Sequence, residues 1–429
     1  MRQHRTEGSA ARAAASYTES VRLAVYADLL YWQDDDTVST STAFVSWLGG
    51  LSDHVDELIV FGRTHPVPGR GDHKLAGANI KFVPLPYYGS LHRIAKVAAA
   101  TMRSARLWHR ALGRCNAVLL FGPHPYAVVF GLQARFAHVP VIVGVRQDFP
   151  RYLAHRATGW RRPAAVMAGR VLEFVHRRLA RGGGVVAIGH EMAGRYTNGH
   201  TRVLMTGVSL VRPADLVPLE DVLSKPWPGQ HELLVAGRLD PEKNPLFLVE
   251  VAKALKPTGP WRLVVAGTGS LAGELAAQVK SESLDDVIAL LGRLDHGHLF
   301  ELYRRSTLLL HISLTEGQPQ VFYEAAAAGL PIVATAVGGV PAALAHGERG
   351  ILVPPNDADA IVRAISKLSS DPEQRLARAR AAWEWAASET LDAQVARVAS
   401  FIQLIASVTG QLPNRQRARR RRGRSASRY

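Results

Sequence analysis

Residues 307–336 read TLLLHISLTEGQPQVFYEAAAAGLPIVATA. Two apolar runs, 307–313 and 331–336, flank a helical pattern over 320–329 that opens just after Pro319. Val/Ile/Leu runs without alternation belong to strands covered on both faces, and a strand, helix and strand in succession need a crossover to a parallel neighbour. The unit repeats outward. Apolar runs at 232–237, 262–267, 287–292 and 350–354 alternate with helical patterns near 244–255, 271–281, 296–305 and 356–369. Further upstream lie runs at 21–27, 57–62, 80–85, 117–122, 140–145 and 185–189, again separated by long amphipathic stretches. The expected fold class is α/β, with two doubly wound Rossmann-like domains in tandem, facing across a cleft at their strand carboxyl ends.

A chain of 429 residues, 47% hydrophobic and 21% charged, has apolar residues for more than one core. Its one cysteine, Cys115, excludes an internal disulfide or a thiolate zinc site and points to a reducing cytosol. No uninterrupted apolar run approaches the ~20 residues of a membrane span, and residues 1–18 lack the apolar centre of a signal peptide, so a cytoplasmic or peripheral location is expected. The expected organisation is a disordered arm over 1–18, a first domain over 19–211, a Pro-rich linker at 212–229, a second domain over 230–390, a terminal helix at 391–410 and a disordered basic tail at 411–429. The final helical stretch as a whole runs from about 376 to 409, with Trp383, Trp385, Val395, Phe401, Ile402 and Ile405 to bury.

The net charge of +16 is unevenly placed. Residues 93–200 carry 17 Lys/Arg against 3 Asp/Glu, and residues 415–429 carry 8 against none. Of 52 basic residues 43 are Arg, a composition that suggests a GC-rich bacterial source.

The chemistry concentrates in the second half. Glu316 and Glu324 stand eight positions apart, with a helix start at Gln320 between them. The amides of Gly317, Gln318, Gln320 and Val321 are the exposed donors of that start, which suits a phosphate or a hydroxyl-bearing anion. In AGRLDPEKNP (236–245), Arg238 and Lys243 follow a glycine turn, a fork and a point charge able to neutralise a diphosphate. AGTGS (266–270) adds a glycine turn at Gly267, and LLGRLD (290–295) ends a strand with backbone groups suited to a planar base. Solvated loop cations and ordinary helix capping explain any one of these features alone; their company carries the weight.

Together AGRLDPEKN, VVAGTGS, LLGRLDHGHLFELYRRSTLLLHIS, TEGQPQVFYEAAAAGLPIVATAVGGVPAAL and HGERGILVPPNDADAIVRAI closely resemble the family 4 glycosyltransferases, retaining enzymes with the two-domain GT-B fold. The resemblance is dense over about 231–370 and includes the family's paired glutamates and its Arg/Lys pair, in order. It implies a nucleotide diphosphate sugar as donor, with Glu324 on the ribose hydroxyls, Glu316 facing the sugar, Arg238 and Lys243 on the diphosphate, Leu294 against the base, and Gly317 to Val321 cradling sugar and phosphate. It also implies a hydroxyl acceptor such as an envelope glycan, a glycolipid or a lipid-linked precursor of polysaccharide biosynthesis.

In the first domain the resemblance thins. Where many members carry an acceptor-facing histidine, this chain reads Arg146, Gln147, Asp148; Arg146 is a candidate for holding an anionic acceptor and Asp148 for accepting a proton, against the alternative that both brace the loop. His124 in FGPHPY ends a strand on the acceptor side. The family's glycine-rich first loop is replaced by YADLLYWQDDD, whose Asp34, Asp35 and Asp36 invite a metal reading. No metal and no cofactor is expected, because two cations and a helix start already face the leaving group. Basic stripes at 90–114 (Arg93, Lys96, Arg103, Arg106, Arg110 and Arg114) and 161–184 suit an anionic membrane surface, and no motif supports nucleic-acid binding.

Overall fold

The computed structural model describes residues 21–89, 94–146, 149–150, 161–197, 199, 201–227 and 231–410. The expected arm and tail lie outside the described residues. Contacts divide the described residues into two compact units, one drawn from residues 21–187, 192–205 and 395–410, the other from 188–191 and 206–394.

In the first unit the strands are β1 (Arg22–Asp34), β2 (Thr37–Thr40), β3 (Glu57–Thr64), β4 (His73–Lys74), β5 (Ile80–Leu85), β6 (Ala117–Gly122), β7 (Val141–Val145), β8 (Gly184–Ile188) and β9 (Arg202–Thr206). Their order runs β5-β3-β1-β6-β7-β8-β9, parallel from β5 to β8, with Leu23 beside Leu58 on one side and Ala117 on the other. The far end of β1 carries an antiparallel hairpin with β2 and β4 that the apolar pattern did not reveal. YADLLYWQDDD thus continues the first strand; Asp34 takes the Arg70 guanidinium at 3.0 Å and Asp35 occupies a left-handed turn position.

Helices α1 (Phe44–Ser52), α2 (Ile94–Leu112), α3 (Pro125–Phe136), α4 (Arg161–Leu179) and α5 (His190–Tyr196) follow in chain order. Because the connections β5 to β6, β6 to β7 and β7 to β8 all step the same way across the sheet, right-handed crossovers put α2, α3 and α4 on one face. The buried side of α2 is led by Trp108, fully buried, stacked on Phe130 at 4.4 Å and donating its indole N–H to the Phe130 carbonyl at 3.1 Å.

The second unit holds α6 (Leu219–Ser224), β10 (His231–Ala236), α7 (Leu248–Leu255), β11 (Trp261–Ala266), α8 (Ala272–Ser281), β12 (Ile288–Gly292), α9 (His296–Arg305), β13 (Leu308–His311), α10 (Gln320–Ala327), β14 (Ile332–Thr335), α11 (Val340–Ala343), β15 (Ile351–Val353), α12 (Ala358–Ser370) and α13 (Pro372–Ser388). Its sheet is parallel in the order β12-β11-β10-β13-β14-β15. That is a doubly wound arrangement in which the winding reverses between β10 and β13.

Within the stretch 212–229 expected as a linker, the described residues 212–227 belong with the second unit. The Val217 amide donates to the Ala327 carbonyl at 3.0 Å, Lys225 Nζ donates to the carbonyls of Arg304 and Ser306 at 2.8 and 2.9 Å, and the Trp227 indole donates to Ser369 Oγ. Prolines interrupted the pattern without freeing the segment. The terminal helical stretch breaks at Glu389–Thr390 into α13 and α14 (Leu391–Gly410). Residues 391–408 are long and apolar enough by length and composition to cross a membrane, contrary to the expectation that no segment is. Val395, Val398, Ala399, Ile402 and Ile405 of this helix are nevertheless buried at the spacing of one helical stripe.

Trp108→Ala should lower stability by about 3–5 kcal/mol, through the lost stacking and the cavity left behind. Arg106→Ala on the exposed side of the same helix should change it by under about 0.5 kcal/mol. Urea unfolding of the two variants checks the assignment of the buried face.

Candidate functional site

Where winding reverses in an open α/β sheet, the loops that follow the two central strands part and leave a crevice at their carboxyl ends. In the second unit that point lies between β10 and β13. A small hollow there is lined by Gly237, Arg238 and Lys243 after β10 and by His311 and Ser313 at the end of β13. Lys243 Nζ bonds Glu316 Oε2, and His311 Nε2 lies 3.5 Å from the same oxygen. Burial opposes charge on the Glu316 carboxyl, but His311 and Lys243 outweigh it and take its pKa down to about 2. Arg238 is largely exposed and is held by Asp240 and, at 2.6 Å, by Glu242. The sequence offers two free cations; the structure gives each a carboxylate partner. The Arg238 pairs are exposed and worth little, so an incoming phosphate displaces them at small cost.

Three backbone approaches shape the crevice. A Cβ on Gly267, whose φ is +157°, would sit 1.8 Å from the Gly237 carbonyl oxygen, so the loops after β10 and β11 touch only because glycine stands there. Cβ atoms on Gly338 and Gly339 would lie 2.0 and 1.8 Å from the carbonyl oxygens of Glu316 and Gly317, and the Gly339 amide donates to the Glu316 carbonyl at 3.0 Å. The Glu316 loop is thereby clamped from above as well as by Lys243.

Helix α10 begins one residue after Pro319 and no side chain among the described residues caps it, which leaves the amides of Gln320 and Val321 available to an anion. Glu324 stands in its second turn, buried, with Tyr303 of α9 donating its hydroxyl at 2.8 Å and Gln320 Nε2 at 3.1 Å. Desolvation raises its pKa, only partly offset by those two hydrogen bonds. Arg238 and Lys243 line the one hollow, whereas Glu324 turns towards Tyr303 of α9. Half-buried Leu294 and Val321 pack against the apolar cluster that includes Phe300 and Tyr303. Gln318 Nε2 donates to the Tyr323 hydroxyl, while its buried Oε1 has no hydrogen-bond partner among the described residues.

The first unit has its own reversal between β1 and β6, and a polar cluster occupies it. A register shift in β1 between Tyr26 and Leu30 brackets Asp28, whose Oδ1 accepts from Arg63 Nε at 2.8 Å and from the Tyr26 hydroxyl at 3.2 Å. His124 accepts the Tyr126 amide on Nδ1, which places its proton on Nε2, 3.0 Å from the Tyr88 hydroxyl and 3.5 Å from Asp28 Oδ2. Burial lowers its pKa. With both ring nitrogens engaged and the side chain capping α3, His124 braces the loop. Arg146 lays its guanidinium over Phe44 and Phe121, at 4.6 and 5.3 Å from the ring centres. Asp148 lies outside the described residues.

The sequence reading missed Asp28, Arg63 and Tyr88 here, and His311, Tyr303 and Gly338 in the second unit. An acid interrupting the apolar run VRLAVYADLL and a histidine closing TLLLHIS were the available signals.

The family described as "Glycosyl transferases group 1" matches residues 224–385, a span that contains the crevice, its glycine approaches and α10. Residues 224–385 thus resemble a group 1 glycosyltransferase domain. The chain is similar to a glycogen synthase of Mycobacterium tuberculosis, 32% identical over 179 residues, which is 40% of this chain and 43% of that protein; the match thus spans under half of the curated relative. Among solved structures it resembles sucrose-phosphate synthase from Thermosynechococcus elongatus (TM-score 0.67, 18% identity, 90% of this chain and 100% of that one). It also resembles Anabaena HepE, solved in complex with UDP (TM-score 0.61, 17% identity, 91% and 100%). The fold of the chain is the GT-B fold of those neighbours.

Because the Glu316 carboxyl titrates near 2 in the folded chain against an ordinary 4.5, its contribution is full above about pH 5 and is lost as pH falls through that interval. Relative to Glu316→Gln, the wild type should lose about 3 kcal/mol between pH 5 and pH 2, as measured by denaturant unfolding.

Proposed function

We propose that this chain is a retaining glycosyltransferase that moves a hexosyl-type unit from a nucleotide diphosphate sugar to a hydroxyl of an envelope glycan, a glycolipid or a related acceptor. It works in the cytoplasm, peripheral to the inner face of the cell membrane, and without a metal ion. The observation that carries the reading is the crevice at the β10/β13 reversal, where Arg238, Lys243 and an uncapped helix start lie within one matched domain. The UDP held by the HepE neighbour supports a nucleotide donor.

In this reading the diphosphate displaces Asp240 and Glu242 from Arg238 and draws on Lys243 and the amides of Gln320 and Val321. Positive charge fixed before the reaction stabilises the phosphate as it leaves, and supplies what a divalent ion supplies elsewhere. Glu324, its carboxylate aimed by Tyr303 and Gln320, receives the ribose hydroxyls. The base lies against Leu294, near Gly267 and the strand ends. Glu316 and the unpartnered Gln318 carbonyl oxygen accept hydroxyls of the sugar. The acceptor oxygen approaches from the face the phosphate departs, giving retention with no protein nucleophile. On the acceptor side Arg146 holds an anionic group, Asp148 takes the hydroxyl proton, and His124 keeps the loop in place.

UDP-, GDP- and ADP-sugars should be screened for thermal stabilisation with EDTA present. A donor at about 100 times its Kd adds about 2.7 kcal/mol. One donor class should stabilise the wild type, and Glu324→Ala should weaken that donor at least about tenfold and abolish transfer. Normal turnover in Glu324→Ala refutes the reading. Stabilisation only when Mg2+ is added refutes its metal-independent part.

A further inference from the structure

Helices α2, α3 and α4 form one layer on the first sheet, and the outward side of that layer is unusually apolar. On α4, Met167, Val171 and Phe174 recur at the spacing of a single helical stripe and are 57%, 55% and 56% exposed. Beside them on α3, Leu132 and Phe136 point outward, the latter 82% exposed, and α2 adds an exposed Met102. Arg135 fastens α3 to α4 by donating to the carbonyls of Arg178, Leu179 and Arg181, which brings the Phe136 end of one helix to the Phe174 end of the other.

The same layer is cationic. Arg103, Arg106 and Arg110 are exposed on α2, Arg162, Arg170 and Arg178 on α4, and the Arg178 guanidinium sits 5.0 Å from the Phe174 ring centre. The sole acid in the three helices is Glu173, already paired with Arg177 and Arg195. A second copy of this chain meeting the face by two-fold symmetry would set arginine against arginine. A layer of helices with Phe, Met and Val outermost and arginines between them suits an interface whose surface is anionic and whose interior is hydrocarbon.

We propose that this α2–α3–α4 face docks on an anionic lipid bilayer, with Met167, Val171, Phe174 and Phe136 entering the headgroup boundary and the arginines engaging lipid phosphates. The proposal deepens the membrane part of the reading above. Because docking is read without donor or acceptor, its failure is distinguishable from failure of transfer.

Sedimentation of the full chain with vesicles tests it. The chain should bind phosphatidylcholine vesicles containing about one-third phosphatidylglycerol and leave pure phosphatidylcholine vesicles largely unbound. Met167→Glu/Phe174→Glu should weaken that binding at least about tenfold with an unchanged melting temperature, and Arg170→Glu/Arg178→Glu should weaken it comparably. Phe174→Ser with Phe136→Ser serves if the charged pair fails to fold, and should reduce binding several-fold. Unaltered vesicle binding in the apolar-row variants overturns the proposal and assigns the affinity to other basic segments. A dimer that the same variants dissociate, in place of vesicle binding, overturns it in favour of a second copy as the occupant.

Discussion

The loops that follow β10 and β13 are tied to each other by the bond between Lys243 and Glu316, and the rest of the crevice depends on that tie. Winding reversal opens a gap between these loops; without a link across it the gap would be as mobile as any pair of surface loops. The bond is reinforced where side chains cannot interfere. The Leu314 amide donates to the Glu242 carbonyl, Asp240 takes both the amide and the hydroxyl of Ser270, and glycines admit the backbone of one loop against the next. Removing one partner of a half-buried ion pair leaves the other uncompensated, so this tie carries position more than net stability.

The two units solve the same topological problem differently. Each has its reversal beside its first strand, between β1 and β6 or between β10 and β13. In the second unit the reversal is spanned by glycines and an uncapped helix start, which expose backbone donors. In the first it is filled by aromatic and titratable side chains: Tyr26, Asp28, Arg63, Tyr88 and His124 form a connected network in which His124 spends both ring nitrogens on structure. Asp28, partly exposed and presented by an irregularity in β1, is the carboxylate in that network.

Most of the sheets was legible because their strands are covered on both faces and therefore read as continuous apolar runs; β5 and β6 coincide with the runs at 80–85 and 117–122. The hairpin of β2 and β4 was not, since Thr37–Thr40 and His73–Lys74 are short and polar and pair only at the extended end of β1. Pro218 and Pro226 disguised a segment that packs on α9 and α10. At the candidate site, the loops that residue types and spacing singled out do come together, with Arg238 and Lys243 lining one hollow and Lys243 bonded to Glu316. What spacing cannot carry is the direction of a side chain. Glu324 turns to Tyr303 because α9 packs against α10, and Arg238 meets Asp240 and Glu242 because a short turn at Pro241–Lys243 folds them back.

The central claim is that charge at the β10/β13 reversal grips the pyrophosphate of a sugar nucleotide. Calorimetric titration of the full chain with a nucleoside, its monophosphate and its diphosphate, across a range of salt, tests it most directly. Affinity should rise by at least about tenfold from nucleoside to diphosphate, and that gain should shrink in Lys243→Ala. A nucleoside that binds as tightly as its diphosphate, or a diphosphate whose affinity is indifferent to Lys243, would contradict the account.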